Sequence, residues 1–169
     1  MTIRIPLAGR TSWLGPRHRR VRLVALTMAI VSTPAVEVSL ASSAVADSAG
    51  NLRTAVMSLR QGSCSALRSD SLVEQAAENV IQSTDAWVDH TARAVPVPDV
   101  VPVLKDLGYA GNKATMLVSA GHTDAEAIAG LLLQGYLSIR DCSYADYGAS
   151  LRQNQTSGFY LATVVMAGV

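Results

Sequence analysis

The order of two periodicities constrains this chain more than any other feature. Between residues 52 and 135 apolar residues recur mostly at helical spacing, interrupted by one short apolar strand or extended run at 112–121. Residues 143–168 are instead β-rich around a turn-forming NQTSG segment. Four predicted helices therefore come first and two paired strands last. That order predicts an α+β domain in which helices pack on a small antiparallel sheet.

Turn and capping residues place the first two helices. The first is predicted over Leu52–Leu59, after a frayed start at residues 47–50, and ends at Gly62. The second begins with a capping box, with Ser71 as its N-cap and Glu74 three residues later.

The last two helices have similar signals. A short third helix is predicted to begin after Asp99 and to end at Gly108. The fourth begins with a second capping box, formed by Thr123 and Glu126. Because this fourth segment is apolar on most sides, we expect a buried helix.

The N-terminus has the pattern of a secretory leader. RHRRVRLVALTMAIV places arginines before the apolar run at 23–31, and Ala44 and Ala46 stand at the −3 and −1 positions of a cleavage site. The sequence thus predicts a signal peptide at 1–46 and a single secreted, extracytoplasmic domain at 47–169. Anchorage by an uncleaved signal is the alternative, although the run is shorter than the roughly 20 residues that span a bilayer. Arg19-Arg20 also permits a twin-arginine route.

Removal of the leader changes the charge of the chain. Residues 1–46 hold six arginines and one glutamate, so the formal charge of +1 becomes about −4 without them. Nucleic acid binding depends largely on lysine and arginine contacts with phosphates. We therefore expect no nucleic acid partner. Because cleavage also removes the apolar run at 23–31, we expect no stable membrane span in the mature domain.

The two cysteines are Cys64 and Cys142, and they form no CxxC motif. In an oxidising compartment two cysteines most often form one disulfide, which is the prediction here. Two free buried thiols are the alternative.

The order of the parts resembles the CAP superfamily of cysteine-rich secretory, antigen 5 and pathogenesis-related proteins, which includes bacterial SCP-like exported domains. The resemblance covers most of residues 51–168. It rests on LRTAVMSLRQGSCSALRSDSLVEQAAENV, LGYAG, MLVSAGHTDAEAIAGLL and YGASL…GFYLATVVMAG. It implies an α-β-α sandwich.

The resemblance also identifies candidate cavity residues. The family's cavity holds two histidines and two glutamates that can bind a divalent metal. Here Met116 stands in place of one glutamate, Tyr136 in place of one histidine, and His90 matches the other histidine. These residues cannot complete a zinc site, so we expect no metal and no cofactor. Tyr136 is expected to fill space as core; the alternative is that it lines an open groove for an apolar ligand.

Other polar residues suggest structural roles. Ser119, His122 and Asp124 could form a hydrolase triad, but capping of the fourth helix explains the last two better, and no G-x-S-x-G motif is present. Asn154 lies in the predicted turn, which we expect to be exposed.

The expected function is a non-catalytic exported domain that binds a cell-envelope component, an apolar small ligand or a protein partner. The alternative is a metal-dependent cell-envelope hydrolase with a remodelled CAP cavity.

Overall fold

The computed structural model describes the backbone of residues 40–169 and the side chains of residues 48–169. Most of the predicted leader, residues 1–39, lies outside the described residues, and the predicted cleavage point after Ala46 falls within the first helix. The elements in chain order are α1 (Leu40–Arg60), β1 (Arg68–Ser69), α2 (Ser71–Val88), α3 (Val100–Asp106), β2 (Lys113–Gly121), α4 (Asp124–Ile139), β3 (Asp146–Gln153) and β4 (Tyr160–Gly168).

The sheet has the strand order β1-β3-β4-β2. β4 pairs antiparallel with both β2 and β3, and the connection from β3 to β4 contains the predicted turn at 154–158. The two-residue β1 adds a parallel edge beside β3, which the sequence did not predict. The sheet is therefore mixed, with an antiparallel centre.

Helices cover both faces of the sheet, which confirms the α-β-α sandwich. Side chains alternate along β4, so Val164 belongs to the cluster with α1 and α4, whereas Val165 belongs to the cluster with α2 and α3. On β2, Leu117 packs in the first cluster and Met116 against the second. Each face buries its own core.

The predicted helix caps are mostly confirmed. Asp99 and Thr123 are the N-caps of α3 and α4, as expected. The N-cap of α2 is Asp70 rather than Ser71: its Oδ1 accepts hydrogen bonds from the backbone N–H groups of Leu72 and Val73. Aspartate and serine both cap well, so sequence alone did not separate two adjacent candidates.

Two predictions about the α1 and α4 layer are wrong. Residues 47–50 are not frayed but belong to α1, where buried Ser48 donates a hydrogen bond of 2.8 Å to Asp124 Oδ2. α4 is not buried all round: Leu133 and Leu137 are each 81% exposed. It packs only one side against the sheet and α1, through residues that include Leu131 and Ile139.

The predicted turn is present, but Asn154 within it is only 1% exposed. Its Nδ2 donates hydrogen bonds of 2.8 Å to Asp85 and to Asp89 at the end of α2. Asn154 thus anchors the hairpin to the helix, and the expectation of exposure is wrong.

The LGYAG segment is anchored by its tyrosine. The hydroxyl of Tyr109 donates a 2.7 Å hydrogen bond to Asp146, whose other oxygen accepts from Arg68. Burial and then the bond to Asp146 raise the pKa of Tyr109 to about 12. Close packing also explains Gly111, since a Cβ there would lie 2.3 Å from the carbonyl oxygen of Gly168.

Candidate functional site: a cleft beside the disulfide

The three cavity candidates do not form one site. Met116 packs with the α2 and α3 cluster. Tyr136 lies in the opposite layer, on the outer side of α4, and is 46% exposed. The sheet therefore separates these two side chains. His90 is exposed and follows α2 with a positive φ of 56°.

The expectation that Tyr136 is core is wrong because its neighbour makes the helix–sheet contact. A Cβ on Gly135 would overlap the Cδ1 of Leu117, so the glycine lets α4 approach β2 closely without displacing that leucine side chain. With Gly135 facing the sheet, Tyr136 turns toward solvent, where its ring lies 5.0 Å from the Arg140 guanidinium carbon.

The candidate triad is not assembled either. Ser119 Oγ donates a hydrogen bond of 2.5 Å to the carbonyl oxygen of Ala127. The ring of His122 stacks on Phe159, with centroids 4.5 Å apart, and Asp124 accepts from Ser48. Each of the three residues has a separate partner.

Lys113 on β2 forms a polar cluster with Asp141 and Ser143 of the loop after α4. Lys113 Nζ is 3.1 Å from Asp141 and also donates to Ser143 Oγ, while Ser143 donates a 2.6 Å hydrogen bond to Asp141. Hydrogen bonds from Ser143, followed by Lys113, lower the pKa of Asp141 to about 2. A lysine ammonium only donates hydrogen bonds, so it cannot take the proton of Ser143. The group is an ion-pair network rather than a nucleophile and its base.

The disulfide joins the ends of α1 and α4. Cys64 and Cys142 are bonded, with their Cα atoms 5.2 Å apart, as predicted. Cys64 follows α1 and Cys142 follows α4. The bond therefore fixes the loops that leave the two outer helices.

Buried Arg60 reinforces the same junction and was not predicted. Its Nε donates to the carbonyl oxygen of Ser65 at 2.8 Å, and its Nη1 and Nη2 donate to those of Ile139, Asp141 and Tyr144. Burial lowers the pKa of Arg60, and the nearby charge of Asp141 opposes that shift. No sequence motif marks this role, because its partners are backbone oxygens.

A cleft of about 520 Å³ opens between the outer face of α1 and the segment that follows it. Its apolar surface includes Met57 and Ala66, and its cationic side chains are Arg53 and the buried Arg60. Arg53 donates to Glu74 at 3.3 Å, and its side chain is partly exposed. The other lining residues are Thr54, Ser58, Gln61, Gly62 and Cys64.

Within the part of the chain whose side chains are described, residues 48–169, no group of three or more His, Cys, Asp or Glu residues could hold a metal ion. Among the described helices, none is long and apolar enough to cross a membrane.

Comparison with known proteins defines the fold. No family model and no curated protein matches the sequence. An outer surface protein from Borrelia burgdorferi is similar in structure, with a TM-score of 0.58 and 12% identity over 72% of this chain and 92% of that one. A cysteine-rich secretory protein from Staphylococcus aureus is similar with a TM-score of 0.55 and 12% identity, and the match covers 73% of this chain and 39% of that protein. The fold is therefore CAP-like, as the sequence resemblance implied.

Proposed function

We propose that this chain is an exported, non-catalytic CAP-like domain that binds a small amphipathic ligand in the cleft beside α1. The ligand has an apolar body and an anionic group. The observation that carries the proposal is the composition of the cleft, which combines Met57 and Ala66 with the cation of Arg53.

Three features support export. They are the predicted leader, the disulfide, which persists in oxidising compartments, and the names of the two similar structures, an outer surface protein and a secretory protein. Binding without catalysis is supported by the separate partners of Ser119, His122 and Asp124.

The size and charge of the cleft support the ligand class. Its volume of about 520 Å³ lies within the range of about 300–1,000 Å³ that is typical of small-molecule sites. Arg53 can offer further N–H groups to an anion, because a guanidinium carries five and the structure gives it bonds to Glu74 and to the carbonyl oxygen of Ala149.

The test uses the fluorescent dye 1-anilinonaphthalene-8-sulfonate, which has an apolar body and one anionic group. Ala66→Trp fills the cleft and Arg53→Gln removes its charge, so each should weaken dye binding at least tenfold in a fluorescence titration. Ala94→Trp and Arg93→Gln make the same changes at exposed positions outside the cleft and should leave the affinity unchanged. Equal binding by all four variants would place the dye elsewhere and refute the proposal.

A further inference from the structure

The outer face of α4 is an exposed apolar surface. Leu133, Tyr136 and Leu137 are 81%, 46% and 81% exposed, although all three are large and hydrophobic. They lie within two turns of the same helix. Large apolar side chains exposed next to one another on one helix are a common feature of protein interaction surfaces.

We propose that this face is the interface of a symmetric homodimer, in which α4 of one copy packs antiparallel against α4 of a second copy with Leu133 at the two-fold axis. A two-fold interface is isologous, so the same residues of both copies must complement one another. The α4 sequence meets this requirement in charge and in size.

Charge complementarity comes from the two ends of the face. Glu126 and Arg140 are both exposed, and each lies seven residues from Leu133, on opposite sides of it. Seven residues are close to two helical turns, so both lie on the same side of the helix as Leu133. In the antiparallel pair, Glu126 of each copy faces Arg140 of the other. In this arrangement the positive N-terminal end of each helix dipole also lies beside the negative C-terminal end of the other, which is favourable.

Size complementarity comes from the residues between them. Exposed Ala129 and Leu137 lie four residues from Leu133, and Gly130 and Tyr136 lie three residues from it. The two-fold therefore places Leu137 opposite Ala129 and Tyr136 opposite Gly130 of the second copy, while the two Leu133 side chains meet at the axis. Small residues opposite large ones allow helices to approach closely and to interdigitate.

Glu126 and Arg140 each form hydrogen bonds within their own chain, but each still has polar atoms that can bind a second copy. Glu126 Oε2 accepts from the backbone N–H of His122, and Arg140 donates to Ser63 Oγ and to the hydroxyl of Tyr136. A carboxylate has a second oxygen and a guanidinium has five N–H groups, so both residues can also bind across the interface.

The experiment is a charge-reversal pair, measured by sedimentation velocity on protein that its host has exported, at about 1–100 µM, the range of moderate affinities. The wild type should be a dimer. Glu126→Arg places two guanidinium groups opposite each other, and Arg140→Glu places two carboxylates opposite each other, so each variant alone should dissociate at least tenfold more readily. An equal mixture of the two should recover the dimer, because the mixed pair restores both ion pairs.

Recovery on mixing separates a broken interface from a damaged fold, since two misfolded variants would not repair each other. Leu133→Asp should also give a monomer, whereas Gln82→Asp, an exposed change on α2, should remain dimeric. A monomeric wild type would overturn the proposal, including a monomer that binds a different exported protein through α4. A dimer that survives either charge reversal would show that the copies meet elsewhere and would also overturn it.

Discussion

The two helical layers of this domain differ in the polar and covalent bonds that hold their helices in place. On the α2 side the links are between side chains: Arg152 forms ion pairs with Glu78 and Asp85, and Asn154 binds Asp85 and Asp89. On the α1 and α4 side, a disulfide and the bonds of Arg60 to backbone carbonyl oxygens hold the helix ends.

This difference can be compared with the positions of the two proposed binding surfaces. Along α2, the carboxylates that face β3 and the hairpin are paired within the domain. In the α1 and α4 layer, the disulfide and the Arg60 bonds lie at the helix ends, while the inner surfaces of both helices pack on the sheet through residues such as Val56 and Leu131. The outer surfaces of both helices face away from that packing. These surfaces carry both the cleft beside α1 and the apolar face of α4. Both proposed binding surfaces therefore lie on the layer of α1 and α4.

Of the three changes predicted to destabilise one layer or the other, loss of the disulfide should lower the free energy of unfolding most. The bond spans a sequence separation of 78 residues, for which the chain-entropy model gives roughly 4–5 kcal/mol of stabilisation. The double variant Cys64→Ala/Cys142→Ala should lose that much free energy of unfolding in a urea titration. Reduction of the wild type should lower its stability by a similar amount. A loss below about 1 kcal/mol would mean that the α1 and α4 layer does not depend on the covalent link.

The second-largest loss of stability should follow replacement of Arg60, which is only 2% exposed. Arg60→Met keeps much of the side-chain volume but leaves four carbonyl oxygens without their donor, which should cost about 3–4 kcal/mol. Arg60→Lys should recover only part of that loss, because one ammonium cannot reproduce the planar fork of donors. Chemical denaturation measures both variants. Arg93→Met changes an exposed arginine and should stay within about 0.5 kcal/mol of the wild type; equal losses at both positions would contradict the assigned role.

Much of the fold was predictable, because period and capping are local properties. The caps at Asp99 and Thr123 and the hairpin around residues 154–159 follow from a few adjacent residues each. The disulfide followed from the cysteine count and the predicted compartment.

The candidate site was less predictable, because it depends on which layer each side chain enters. Strand alternation separates Met116 from Leu117 but does not say which helices cover either face. The apolar sequence of α4 did not reveal that one side has no covering element, and the partners of Arg60 lie as far away as Tyr144. To predict the cleft, one would have to know the path of the segment that follows α1, and no sequence motif indicates that path.

The smallest of the three effects tests the α2 side of the comparison. Asn154→Ala removes two donors from Asp85 and Asp89 and the acceptor of the Ser157 backbone N–H, and should cost about 2 kcal/mol. Asn154→Asp keeps the shape but brings a third carboxylate against two others, so the new group should have a raised pKa in the folded state. Its penalty is then present when the group is ionised and disappears as the pH falls below the ordinary aspartate pKa of about 4. Urea titrations at neutral pH and near pH 4 should therefore show the gap between Asn154→Asp and the wild type narrowing in acid. A gap independent of pH would show that the side chains of α2 do not hold the hairpin through charge, and the contrast between the two layers would lose its electrostatic basis.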